Sequence, residues 1–339
     1  GAVDMASTLQ VDGALTTSST INILGMTGPK TNFANSILIS GDAGTGTLNT
    51  ATANTGVGIG VFAALTTGDL NTAVGFDSLK ANTTGIQNTA YGACALNINT
   101  TGGCNTALGE GSLDANTSGT RNIAVGGEAL GANTTASFNN ALGYKTLCTN
   151  TTGASNTAIG TCSMRLNTTG AQNTAVGLDS LKANTTAANN VAVGFRALCA
   201  NTTGTLNTAV GTSSLKTNTT ASNNTAVGTS SLDANTTGDQ NTAVGMNALG
   251  GNTTADNNTA VGYNSLCVNT TGTKNVAVGT GALERNTTAA CNTAVGQDAM
   301  LANTTGADNS AVGKSALAAN TTGAGNVAVG TNALIANTT

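Results

Sequence analysis

Asn71-Thr72-Ala73-Val74-Gly75-Phe76-Asp77-Ser78-Leu79-Lys80-Ala81-Asn82-Thr83-Thr84-Gly85-Ile86-Gln87 is one unit of a seventeen-residue repeat. Further units start at Asn88, Asn105, Asn122 and every seventeenth residue as far as Asn326, sixteen copies with no start displaced. A strict short period means a stack of equivalent coils rather than a globule around one cleft. Two Asn-Thr turns per unit leave no room for a helix of ordinary length. The expected fold is therefore all-β: a parallel β-solenoid, or β-roll, of seventeen-residue coils. At one strand spacing per coil, ~4.8 Å, the stack makes a rod on the order of 80 Å long.

Five positions of the unit never change: 1, 3, 5, 12 and 13, which are Asn71, Ala73, Gly75, Asn82 and Thr83 in the first copy. Position 4 is aliphatic, as in Val74, with Tyr91 the one exception; position 9 is Leu, as in Leu79, except at Met164 and Met300. Invariance within one chain reports geometry common to every coil, so these seven are structural positions. From Asn71 onward every Asp, Glu, Lys and Arg falls at position 6, 7, 10, 11, 16 or 17. Charged side chains are rarely buried unless paired, so these six positions should face water and the others should face the core or another chain.

Positions 1 to 5 read as a strand, whose alternate residues point to opposite faces. Neither face accepts charge, as expected of a parallel strand covered on both sides. One side is the interior of the coil, and the other should meet a neighbouring chain. Gly75 should end the strand at a corner that excludes a β-carbon. Leu79 supplies the large apolar plug of the coil. Asn82-Thr83-Thr84-Gly85 makes a second corner, where Asn82, Asn99, Asn116 and their equivalents should stack as a hydrogen-bonded amide ladder.

The composition narrows the chemistry. Eight aromatic residues, one proline and 45 glycines in 339 residues suit a thin ordered body rather than a thick core. The net charge of −4 is scattered, which gives no footprint for nucleic acid or an anionic membrane. No apolar run approaches a membrane span. Histidine is absent, and with it the commonest general base and nitrogen metal ligand. No catalytic, cofactor or metal site is expected, and the chain does not read as an enzyme.

Several local signals have bland explanations. Gly41-Asp42-Ala43-Gly44-Thr45-Gly46-Thr47 lacks the lysine of a phosphate-binding loop and reads as a turn. Asn82-Thr83-Thr84 is formally a glycosylation sequon, but an asparagine inside a ladder cannot carry a sugar. Phe76, Tyr144, Phe195 and Tyr263 share position 6 and read as isolated surface aromatics. Cys94, Cys104, Cys148, Cys162, Cys199, Cys267 and Cys291 occupy positions 7, 10 and 17 without a Cys-x-x-Cys spacing. They read as free thiols, which favour a reducing compartment.

Residues 1–53 are expected to form an N-terminal β segment or attachment region, with short strands near Leu9, Val11, Leu15, Ile21 and Ile23. Residues 1–4 read as a cloning remnant before Met5, which leaves no Sec-type signal peptide. The solenoid spans 54–339, and 54–70 is a degenerate first coil. It keeps Asn54, Val57, Gly58 and Thr66-Thr67-Gly68 but has Leu65 where the repeat has Asn.

Asn-Thr-Ala-Val-Gly-x-x-Ala/Ser-Leu resembles the head repeats of trimeric autotransporter adhesins of the YadA type. It is closer still to the Asn-Thr-Ala-x-Gly…Asn-Thr-Thr-Gly arrays of phage tail-fibre and related trimeric fibre proteins. The resemblance covers 54–339, although the unit here is longer than that of the adhesins. It implies a left-handed β-roll with three chains packed side by side. The expected role is a homotrimeric fibre shaft of a phage or virus tail, resident in the virion. Such a shaft attaches at its N-terminal end and holds a tip for a host receptor or glycan at the other. A bacterial surface adhesin or extracellular filament subunit is the alternative. Ice binding by ladders of Thr72, Thr83 and Thr84 equivalents is a third.

Overall fold

The computed structural model describes residues 35–39 and 49–339. The strands expected near Leu9 to Ile23 and the turn at Gly41–Thr47 lie outside the described residues. The rest is an all-β parallel solenoid with no helix among the described residues. Strand β1 is Ile37–Ile39 and β2 is Thr55–Val57; one strand per coil follows, from β3 at Thr72–Val74 to β18 at Val327–Val329. All belong to one 18-stranded sheet. Thr72 pairs with Thr89, Ala73 with Ala90 and Val74 with Tyr91, and this register recurs along the repeat array. Only β1 is offset: Ile37 pairs with Thr55, eighteen residues on rather than seventeen.

Each strand covers positions 2 to 4, shorter than the expected 1 to 5. The reason is visible at both ends. At position 1 the backbone N–H of Asn88 donates to the Asn71 side-chain oxygen (3.0 Å), not to a backbone partner. At position 5 the glycine adopts φ +135°, a region L side chains rarely enter. A β-carbon on Gly75 would collide with the Gly92 carbonyl oxygen, so this corner requires glycine.

Stacking extends around the whole coil. Leu79 N–H donates to Ala95 O (3.0 Å) and Ala81 N–H to Asn97 O (2.9 Å). At the second corner the N–H groups of Thr83, Thr84 and Gly85 converge on Thr100 O at 3.0, 3.1 and 3.3 Å. The Thr83 hydroxyl joins them at 3.0 Å. These bonds require a path that bends inward three times per coil. Positions 7, 9 and 17 accordingly sit in the left-handed region, as at Asp77 (φ 53°), Leu79 (φ 49°) and Gln87 (φ 57°). A non-glycine residue there is disfavoured by ~1–2 kcal/mol, which the packing of every coil must offset.

The interior is narrow and half polar. Ala73 and Leu79 are fully buried, with Ser78 between the apolar layers, and so are Asn71 and Asn82. The two asparagine rows share an acceptor: Gly85 O receives Asn71 Nδ2 (2.9 Å) and Asn82 Nδ2 (3.0 Å). Between coils, Asn88 Nδ2 donates to Asn71 Oδ1 (3.1 Å) and Asn99 Nδ2 to Asn82 Oδ1 (2.9 Å). Buried amides are costly only when left unpaired, and here each is paired along the stack.

The degenerate coil closes these rows. Phe62 takes the Leu79 position and is fully buried, as is Leu65 in place of the ladder asparagine. Gly56 replaces alanine because a β-carbon would meet Leu38 Cδ1 at 2.8 Å and Val61 Cγ1 at 2.9 Å. The position-1 row runs one coil further, to Asn54, whose N–H donates to Ser36 Oγ (2.8 Å).

Candidate functional surfaces

Among the described residues a notch of about 390 Å³ is lined by Gly111, Asp114, Glu128, Gly131, Ala132, Cys148 and Thr149. It exists because Gly111 and Gly131 stand at positions 7 and 10, where most coils carry a side chain. Asp114 Oδ1 is buried without a hydrogen bond, and burial pushes its carboxyl up against the opposing pull of the Asn97 amide. Glu128 is paired with Lys145 at 3.5 Å. Burial pushes the Cys148 thiol up as well. A raised thiol stays protonated and is a poor nucleophile. Among the described residues no three His, Cys, Asp or Glu side chains are grouped to hold a metal.

The other cysteines follow the same logic. All seven are free. Cys94, Cys199 and Cys267 are half-buried, and burial is the largest cause of the upward shift in each. Cys104 and Cys291, at position 17, are exposed. The expectation that all charged positions face water needs correction at positions 7 and 10. The Asp77 and Asp179 side chains are only 15% and 14% exposed, and Asp114 and Asp233 each have a buried oxygen without a hydrogen bond, with Lys216 Nζ 4.0 Å from that of Asp233.

Two long uncharged surfaces remain. The first is the outward side of the sheet, formed by positions 2 and 4. Threonine dominates position 2, and Val74, Leu108, Leu142 and Ile159 represent position 4. Tyr91 is 57% exposed, Leu142 47% and Leu108 45%. The second is the position-14 row, Thr84, Thr101, Ser118 and their equivalents, which is Thr or Ser in every coil and exposed. The preceding threonine is different. Thr83 Oγ1 is committed to the next coil, and this bond recurs from Thr66 to Thr321. The structural residues thus divide cleanly: Asn71, Ala73, Leu79 and Asn82 inside, Thr83 and Gly75 at corners, and Val74 outside.

No known protein family matches this chain, and neither does any curated protein. The likeness to trimeric fibre repeats rests on the motif alone.

Sequence reasoning did not separate the core positions from the bare ones among the uncharged set. Position 8 is Ser, Ala or one Thr throughout the sixteen copies, and position 15 is Gly or Ala. Small size without charge was the available signal that both point inward. The left-handed conformation at position 7 had a signal too, in the frequent Asp, Asn, Gly and Ser there.

Proposed function

We propose that this chain is a structural rod, the shaft of a virus or phage tail fibre, in which three copies lie side by side in a left-handed β-roll. The observation that carries the reading is a continuous in-register sheet whose outward side is uncharged in every coil. A single rod exposes that side along its full length, which suits a surface that is covered in the assembled molecule. The repeat motif supplies the kinship with fibre proteins. Seven unpaired thiols fit a chain made and assembled in a reducing compartment, as a virion component is. The shaft would be carried at its N-terminal end and would space a recognition element from the particle. Light scattering of the purified chain should give three times the 32.7 kDa monomer mass, and a monomer at every concentration would refute the assembly.

A second reading, ice binding, is favoured by the position-14 row. Its hydroxyls are exposed and repeat at about one strand spacing, ~4.8 Å. Thr83 and its equivalents drop out of this reading because their hydroxyls are bonded within the stack. Absence of thermal hysteresis would dismiss it.

A further inference from the structure

We propose that copies of this chain contact one another through the outward side of the sheet, the surface of positions 2 and 4, with their rods parallel. The inference rests on the side-by-side assembly proposed above and names the face that forms it.

Charge comes first. From Thr55 to Val329 no residue at position 2 or 4 is charged, whereas positions 6, 7, 10 and 17 carry both signs and position 16 carries Asp. An identical neighbour presenting the same surface meets no unpaired charge there. Contacts through the charged sides would desolvate Glu110 and the solvent-facing ion pairs Asp77–Lys80 and Glu128–Lys145.

Area comes second. Seventeen coils at ~4.8 Å, with a strand three residues wide at ~3.4 Å each, give a strip of roughly 800 Å². That is the ~800 Å² a partner gives to a stable two-body interface, here divided between two neighbours, so the three contacts hold only jointly. The strip has no bare backbone to offer, because the strand ladders are completed between coils of the same chain. Side chains alone must make the contact. Threonine and valine are small enough for two sheets to approach to the usual ~10 Å.

Geometry fixes the pairing. When two such faces meet about an axis parallel to the rods, position 2 of one copy lies opposite position 4 of the next. The threonine row of each copy therefore covers the aliphatic row of its neighbour. In a threefold arrangement this head-to-tail contact closes on itself.

The test uses the full chain. A variant carrying Val176→Lys, Val210→Lys and Val244→Lys places three charges on the strip. A control with Thr186→Lys, Thr220→Lys and Thr254→Lys charges the position-14 row of the same coils. By light scattering the valine variant should fall to one third of the wild-type mass while the control keeps it. If wild type and valine variant are both trimers, the face is wrong. If the wild type is a monomer throughout, the underlying assembly is wrong instead. Hydroxyl-radical footprinting of the wild type covers the case in which the valine variant fails to fold. Tyr91, Leu108 and Leu142 should be protected relative to Phe76 and Tyr144 at position 6. Equal labelling of the two sets would overturn the proposal.

Discussion

The position-12 amide ladder makes a sharp prediction because its rungs share their bonds. Asn218 Nδ2 donates to Asn201 Oδ1 (2.9 Å), and Asn218 Oδ1 accepts from Asn235 Nδ2 (3.0 Å). Asn201 Nδ2 in turn donates to Asn184 Oδ1 (3.2 Å). Asn218→Ala would leave two buried groups without those partners, the Asn201 oxygen and one N–H of Asn235. At ~1–3 kcal/mol per unsatisfied group, the cost is about 2–6 kcal/mol. Asn201→Ala would orphan the Asn184 oxygen and one N–H of Asn218, at the same cost. No carbonyl is stranded in either case, because Ala221 O keeps Asn207 Nδ2 (2.8 Å) and Gly204 O keeps Asn190 Nδ2 (2.9 Å). The double variant orphans only the outer pair, the Asn184 oxygen and the Asn235 N–H. It should therefore cost about as much as either single change, apart from the added void, and fall short of additivity by about 2–6 kcal/mol. Native-state hydrogen exchange of the flanking coils, at fixed protein concentration, measures all three against wild type. Additive costs would show that the asparagines act as independent fillers and would refute the shared-bond account.

Two further outcomes follow from single positions. Gly211→Ala should destabilise by about 2–3 kcal/mol or more, because residue 211 sits at φ +133° with its β-carbon 2.6 Å from Gly228 O. Gly204→Ala should cost less in a thermal melt: a β-carbon there also presses on Ala221 O, but residue 204 lies outside the left-handed region, and Ala187 and Ala221 at the same position of adjacent coils show that this corner can shift to take one. Asp114→Asn should stabilise at neutral pH. Burial raises the Asp114 carboxyl above its ordinary value of 3.8, so the stability it contributes is fully present below that value and lost as pH rises through the folded value. The variant should gain about 0.5–1 kcal/mol at pH 7, reduced by partial solvent access. That gain should vanish below about pH 4 in paired denaturation curves; a gain independent of pH would point to packing instead.

The period made the fold legible, because nothing but a stack of coils satisfies seventeen residues repeated without slip. The charge columns then separated outside from inside with few errors. Positions 7 and 10 were misread in part because short carboxylates such as Asp77 and Asp114 can be largely covered by the coil while longer side chains such as Lys80 reach water. Thr83 and Thr84 could not be told apart from the sequence: both are nearly invariant, yet one hydroxyl is bonded in the stack and the other is bare. The difference comes from the corner, where three amides and a hydroxyl converge on one carbonyl. No pairwise motif encodes that. Leu79 and its equivalents posed the same difficulty. Their left-handed backbone is disfavoured locally, and only burial of the side chain by the adjacent coils explains it.

An exact repeat has a weakness that the exceptions in this chain address. Within one chain the covalent path fixes which coil follows which, so uniform ladders are harmless there. Between copies packed as proposed above, a shift by one whole coil would bring threonine against valine again at almost no cost. Alignment must then come from coils that differ. Tyr91 at position 4, Ile123 at position 2 and Asn140 at position 2 lie in the units starting at Asn88, Asn122 and Asn139, near one end of the array. In the middle of the array, from Thr208 to Val261, positions 2 and 4 are Thr and Val without exception, and Val191, Val276, Ser310 and Val327 break the threonine row on either side. The pairings Ile123 with Val125 and Asn140 with Leu142 hold in one axial alignment only, because a shift by one coil changes both partners. The irregular coils would therefore set the alignment and the regular ones would extend it, a division of labour that uniform repetition cannot provide.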